Sequence, residues 1–544
     1  MRARSTRAAK FGVVFAVGVA LATAAVPVAS AVPQSRAAVG TAASVPRPPA
    51  PYRRGASHPP VGATAATPFT GAPGSPSPWQ SLVNPPPFNP GAMLLLTDGT
   101  VLVQDQGADN NGSGNWWRLT PDSSGSYVNG TWSQVASLPS DYAPLYFASA
   151  VLPDGRVIIE GGEYNFGNEV WTNLGAIYDP VANTWTAVKH PKGSEWVRIG
   201  DAPSSVLATG KFMLGASGYS GTTAQAILNA STLKWKATGA GKADGNGEEG
   251  WSLLPNGDVL TVDTTDTDPP QNTEIYTPST GTWASAGVTP VPLIDSVGEV
   301  GPQVLQPDGT VFAVGSTGDN ALYDTATGTW SAGPSFPVIG GLQYDSADGA
   351  AAVLPDGNVL VDASPGVYQT PTHFFVFDGT NLTQVADAPN AASQSSYDGF
   401  MLVLPTGQVL FNDRIGDIEV YNDSGSPQAS WSPVITKVPK TLAAGSTYKV
   451  SGRQLNGLTQ MSAYGDDYQS ATNYPLVRIT NTATGDVFYA RTSEMTSMTV
   501  APGAKSSADF TLPAGIELGA STLVVVANGI ASKPVSVTVT AAGS

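Results

Sequence analysis

A carboxylate recurs at one step of an internal repeat. Asp201, Glu248 with Glu249 beside it, Glu299, Asp348 and Asp398 each stand eight to ten residues before a turn glycine, and no Lys or Arg occupies those slots. Acids that converge repel one another, so they either keep protons at raised pKa or hold a cation. Oxygen donors suit Ca²⁺, Mg²⁺ or Mn²⁺ far better than copper, so Asp201, Glu248, Glu299, Asp348 and Asp398 are candidate ligands of a hard cation. The competing reading is that each acid caps backbone N–H groups of the neighbouring strands. Both readings stay open. The acidic loops with Asp105 and Asp109, and with Asp263, Asp266 and Asp268, read as solvated turns.

The elements that position these acids come from the repeat. Leu152-Pro153-Asp154-Gly155 returns as Leu254-Pro255-Asn256-Gly257, Gln306-Pro307-Asp308-Gly309, Leu354-Pro355-Asp356-Gly357 and Leu404-Pro405-Thr406-Gly407, with weaker copies at Gly99 and Gly210. The glycines lie about 51 residues apart on average, and the apolar runs around each mark a hairpin of buried strands. Some 25 residues later comes a second phrase, Tyr178 to Trp185, Tyr276 to Trp283 and Tyr323 to Trp330. Seven copies of a four-strand unit predict an all-β fold, a seven-bladed β-propeller over 79–432. Trp79, Trp132, Trp185, Trp235, Trp283, Trp330 and Trp431, with the Leu382 region in the sixth blade, give eight outer-strand candidates for seven hairpins. Trp79 is expected to complete the last blade and so remove the open edge of the ring. From 433 to 544, runs such as Tyr448–Ser451 and Leu523–Val526 between Gly and Pro turns predict a small β-sandwich. Its segment from Tyr464 to Tyr474 is the candidate loop for entry into the channel.

Composition excludes much. The 544 residues contain no Cys, which removes disulfides, thiolate metal sites and Cys nucleophiles. A formal net charge of −16 argues against nucleic acid and anionic membranes and favours cations or neutral ligands. Residues 1–31 read as a signal peptide: Arg2, Arg4, Arg7 and Lys10, then an apolar run, then Ala29-Ser30-Ala31. A Pro/Ala/Gly-rich linker over 32–78 follows. A secreted monomer with no membrane insertion is expected.

Taken together, the chain resembles the galactose oxidase group, secreted kelch propellers followed by an immunoglobulin-like early-set domain. Gly161-Gly162 matches the kelch double glycine. The resemblance implies copper at the propeller axis and a tyrosine cross-linked to a cysteine. Phe88-Asn89-Pro90-Gly91 is similar to the segment carrying that cysteine, with Asn89 in its place. Tyr146 matches the cross-linked tyrosine, and Tyr164 the aromatic stacked above it. Tyr397-Asp398 stands where the family has a Tyr-His ligand pair, and Gln469 is the nearest counterpart of a second histidine. Copper prefers imidazole, and His190 and His373 lie outside the matched positions, so a copper-radical centre is not expected.

Three functions follow. The first is a secreted non-copper protein that binds a glycan or small neutral ligand at an acidic axial mouth formed by Asn89, Tyr146, Tyr164, Tyr397, Asp398 and Gln469. Trp116-Trp117, Trp171 and Trp196 are candidates to stack on sugar rings. The second is an extracellular carbohydrate- or alcohol-active enzyme with altered chemistry, using Tyr146 and Tyr397 as acid and base. The third is an envelope adhesin that binds protein.

Overall fold

In the computed structural model the Leu-Pro-Asp-Gly phrase forms a tight hairpin turn. The Leu152 N–H donates to the Arg156 carbonyl and the Gly155 N–H to the Leu152 carbonyl, each at 2.8 Å. Asp154 Oδ1 accepts from the Arg156 N–H. Gly155 sits at φ 83°, and the six other turn glycines are left-handed too. That conformation is open to glycine at little cost, which explains why the glycine recurs.

The structure describes residues 77–217, 222–264, 271–296, 298–464, 468 and 470–542. The segment expected to be a signal peptide, nearly all of the expected linker, and Gln469 lie outside the described residues.

Among these residues, seven antiparallel sheets repeat one order of four strands. Their first strands are Pro90–Leu95, Ala148–Val151, Ser204–Val206, Ser252–Leu253, Gln303–Leu305, Ala350–Val353 and Phe400–Val403. Each touches the next, and the last touches the first, so the sheets close a ring as blades of a β-propeller. First strands such as Ala350–Val353 are buried throughout, whereas a fourth strand such as Thr184–Val188 is largely exposed. The Tyr-to-Trp phrase is a cross-strand pair: Tyr178 faces Trp185, Tyr276 faces Trp283 and Tyr323 faces Trp330, with ring centroids 5.0–5.4 Å apart.

Trp79–Ser81 pairs with Glu419–Tyr421 and supplies the fourth strand of the seventh blade. Trp79 is buried against Phe374, Phe411 and Tyr421, and its indole N–H donates to the Ala386 carbonyl at 2.7 Å. Trp431 is not an outer-strand residue: it ends a 3₁₀ turn, Ala429–Trp431, and lies over Gly357.

Past residue 433 most strands join one nine-stranded sheet path. Ser462–Tyr464 leaves that path and pairs with Ala350–Val353, adding a fifth strand to the sixth blade on its axial side. No helix among the described residues is long and apolar enough to cross a membrane.

Candidate functional site

Four side chains near the axis are carried on left-handed backbone although none is glycine: Tyr146 (φ 52°), Glu248 (59°), Asp348 (49°) and Arg414 (66°). Each such residue stores of order 1–2 kcal/mol. The strain persists because surrounding structure holds it. The Tyr146 N–H donates to the phenol of Tyr468 at 3.0 Å, and the Asp348 N–H to the Val300 carbonyl at 3.2 Å.

Arg414 joins the two tyrosine positions. Its Nη1 donates to the Tyr146 phenol and its Nη2 to the Tyr397 carbonyl, both at 2.9 Å. The guanidinium lies 5.2 Å from the Tyr146 ring centroid, 5.0 Å from that of Tyr397 and 4.9 Å from that of Phe400. The Tyr464 phenol donates to the same Tyr397 carbonyl at 2.9 Å, so the strand from the last segment helps to build the site. Burial pushes the Tyr146 phenol up, and the Arg414 charge partly offsets this. Arg414 and the side chains of Asn110, Tyr146, Gln394, Tyr397, Asp398 and Asp413 line a cavity of about 190 Å³. Arg414 is 7% exposed, and its Nε–H has no acceptor among the described residues. Asp413 is 1% exposed, and among the described residues neither carboxylate oxygen meets a well-aligned donor. Burial first, then the charges of Asp417 and Asp398, raises Asp413 to about 7, with the Ile415 amide opposing.

On the other side of the site, oxygens of Glu248, Glu299 and Asp348 lie within 4.8 Å of one another. Three consecutive blades deliver them. Burial raises Asp348 to about 6, while a hydrogen bond with Glu299 holds it down and the charge of Asp295 adds to the rise. Tyr368 connects the two halves: it meets Tyr397 edge-on at 5.2 Å, and burial, then the charges of Asp348 and Glu299, drive its phenol up. Glu163 is raised to about 7 by burial, then by Glu169 and Asp348. Tyr164 is buried and meets the Tyr146 ring at 5.9 Å.

Other expected site residues stand elsewhere. Asp398 is not with the three acids; its Oδ2 accepts from the Ser395 N–H and hydroxyl at 3.1 and 3.2 Å, capping a short turn beside Arg414. Asp201 is buried outside the group. Glu249 turns to a second buried cluster, where Lys242 Nζ lies 2.7 Å from Glu249, 2.8 Å from Glu274 and 3.8 Å from Asp263. Asn89 donates to the Gly107 carbonyl and does not line the cavity. Trp116 and Trp196 are buried, so they pack the core instead of stacking on a ligand. No Lys or Arg stands in the repeated slots, and the basic group of the mouth, Arg414, comes from outside them. One signal was present: the seventh blade alone follows its second strand with a basic residue, Asp413-Arg414 after Val409–Asn412.

Copper does not fit these residues. Between Tyr146 and Tyr397 stands a guanidinium, which is always charged and offers no lone pair. The carboxylate of Asp398 is engaged by Ser395. His373 pairs with Asp387 at 2.8 Å and His190 Nδ1 contacts the Pro191 carbonyl, so neither lies at the site.

No family model matches the chain. A kelch-like protein of Aspergillus terreus, terF, is 30% identical over 99 residues, which are 18% of this chain; the match spans 20% of that relative's length. A solved structure of a copper-bound fungal alcohol oxidase of the AA5 family aligns over 85% of this chain and 99% of its own, at 15% identity and a TM-score of 0.48. The ring of four-stranded sheets is an all-β propeller fold, and one stretch of the chain is similar to a kelch-like protein.

Proposed function

We propose that this chain is an exported protein that binds a small neutral, hydroxylated ligand, such as the end of a glycan, in the axial cavity without copper-radical chemistry. The observation that carries the reading is that a buried donor with no acceptor among the described residues, Arg414 Nε–H, and the buried carboxylate of Asp413, met only by imperfectly aligned backbone amides, line one cavity. Adjacent hydroxyl groups satisfy both, since each hydroxyl donates and accepts. A free anion would meet Asp398 and Asp413, and a free cation would meet Arg414, so neutrality suits the mixed lining. The volume is below the roughly 300–1,000 Å³ of drug-sized pockets, which favours a single small unit. Export rests on the basic, apolar and Ala29-Ser30-Ala31 succession at the start of the chain.

A glycan array followed by calorimetry tests the reading. Arg414→Met and Asp413→Asn should each weaken the best ligand at least tenfold while leaving ligands bound elsewhere unaffected. Unchanged binding in both variants sinks it, as does stoichiometric copper in protein grown with copper. In the same reading a hard cation is a partner of Glu248, Glu299 and Asp348, and melts with millimolar Ca²⁺ or Mg²⁺ against chelator decide that part separately.

An enzymatic reading is favoured by one observation, the rise of both Asp413 and Glu163 to about 7, which suits proton exchange at neutral pH. Turnover of the bound glycan, lost in Asp413→Asn, would establish it.

A further inference from the structure

The internal repeat supplies its own control for an unusual surface. Fourth strands carry the phrases Thr131-Trp132-Ser133, Thr184-Trp185-Thr186, Thr282-Trp283-Ala284 and Thr329-Trp330-Ser331, but in the third blade the phrase is Lys234-Trp235-Lys236. Both flanks of one tryptophan have become lysine. Lysines on outer strands also guard edges against pairing, yet the sister strands do so with Thr, Ser and Ala. The charge is regional as well. From 189 to 236 the chain bears Lys189, Lys192, Arg198, Lys211, Lys234 and Lys236 against only Glu195 and Asp201, in a protein of net charge −16.

These lysines border a groove. Between the third and fourth blades lies an open volume of about 430 Å³, walled by Lys211, Lys234, Lys236, Trp235, Tyr276 and the turn from Pro278 to Gly281. A hydrogen bond of 2.5 Å between Thr238 and Tyr276 joins its two walls. The three lysines are exposed, and among the described residues none has a carboxylate within 4.0 Å. Trp235 is half-buried, its indole N–H held by the Lys189 carbonyl at 2.7 Å, so its ring is fixed at the groove.

We propose that this groove binds an anionic polysaccharide, a sugar chain bearing carboxylate or sulfate groups. Three uncompensated ammonium groups supply the attraction, and they contact anions as point charges without demanding a planar fork. The fixed aromatic ring and the hydroxyl-bearing turn at Ser279 and Thr280 supply what a sugar chain needs between its charges, a flat apolar face and hydrogen-bond partners. A bare anion would use only the lysines. This site is separate from the axial cavity and stands whether or not that reading holds.

The test compares polygalacturonate and dextran sulfate with neutral dextran, reading affinity by calorimetry and Trp fluorescence across salt concentrations. Both anionic chains should bind at low salt and dextran should not. The triple variant Lys211→Gln/Lys234→Gln/Lys236→Gln should lose at least tenfold in affinity. The slope of log affinity against log salt should shrink by roughly two to three, near one per lysine removed. Lys533→Gln, an exposed lysine of the last segment, should change nothing. The single variants repeat the comparison if the triple variant melts early. Wild-type affinity in these variants overturns the proposal, as does dextran binding as tightly as dextran sulfate. Tighter binding of phosphatidylserine vesicles or duplex DNA than of either polysaccharide also overturns it.

Discussion

The backbone N–H of Tyr146 donates to the phenol of Tyr468, 3.0 Å away in space and 322 residues further along the chain. The bond holds a left-handed tyrosine at the axis by means of a side chain that the last segment sends into the ring. Tyr468 is itself clamped between Phe147 and Phe400, at centroid distances of 5.2 and 4.8 Å. Segment and cavity are thereby one unit.

That relationship sets the first expectation. Tyr468→Phe keeps the ring packing but leaves the Tyr146 N–H without its acceptor, a loss of about 1–3 kcal/mol. Chemical denaturation should report a drop in that range, and calorimetry weaker binding at the axial cavity. A stability equal to wild type would show that the bond does not hold Tyr146.

A second expectation concerns ring closure. Removing residues 32–70 should leave the melting temperature nearly unchanged, whereas removal through Trp79 deletes the pairing with Tyr421 and the aromatic packing on Phe374. Trp79→Ala alone should cost about 3–5 kcal/mol, the usual range for a buried tryptophan. Equal melting temperatures for the two truncations would reject the clasp.

Glu160 provides the third, through pH. It is fully buried in the second blade, neither oxygen has a hydrogen-bond partner among the described residues, and burial drives its pKa well above the ordinary value. The folded protein therefore favours the protonated acid. Its stabilising contribution is full below the unfolded pKa of about 4.3 and is lost as pH rises toward the folded value, by up to about 1.4 kcal/mol per pH unit. Glu160→Gln should flatten this decline, so that the variant gains on wild type between pH 5 and pH 9 in urea titrations. Parallel pH profiles for the two proteins would refute it.

The blades are legible in the order of residues, because a hairpin is written locally. Leu152 to Gly155 and Tyr178 to Trp185 each place strand, turn and partner within one repeat, and seven copies give the ring. The same order places Glu248, Glu299 and Asp348 in one register, since equal steps in equal blades lead to equal positions around an axis. What surrounds them emerges only when distant segments pack together. Arg414 reaches Tyr146 across 268 residues, and Ser462–Tyr464 adds itself to a blade whose last strand ends at Gln384, 78 residues earlier in the chain. Lys242 draws Glu249 away from the acid beside it in sequence. Such contacts follow from burial and charge pairing between segments with no common period, and a linear pattern carries no trace of them until the chain has folded.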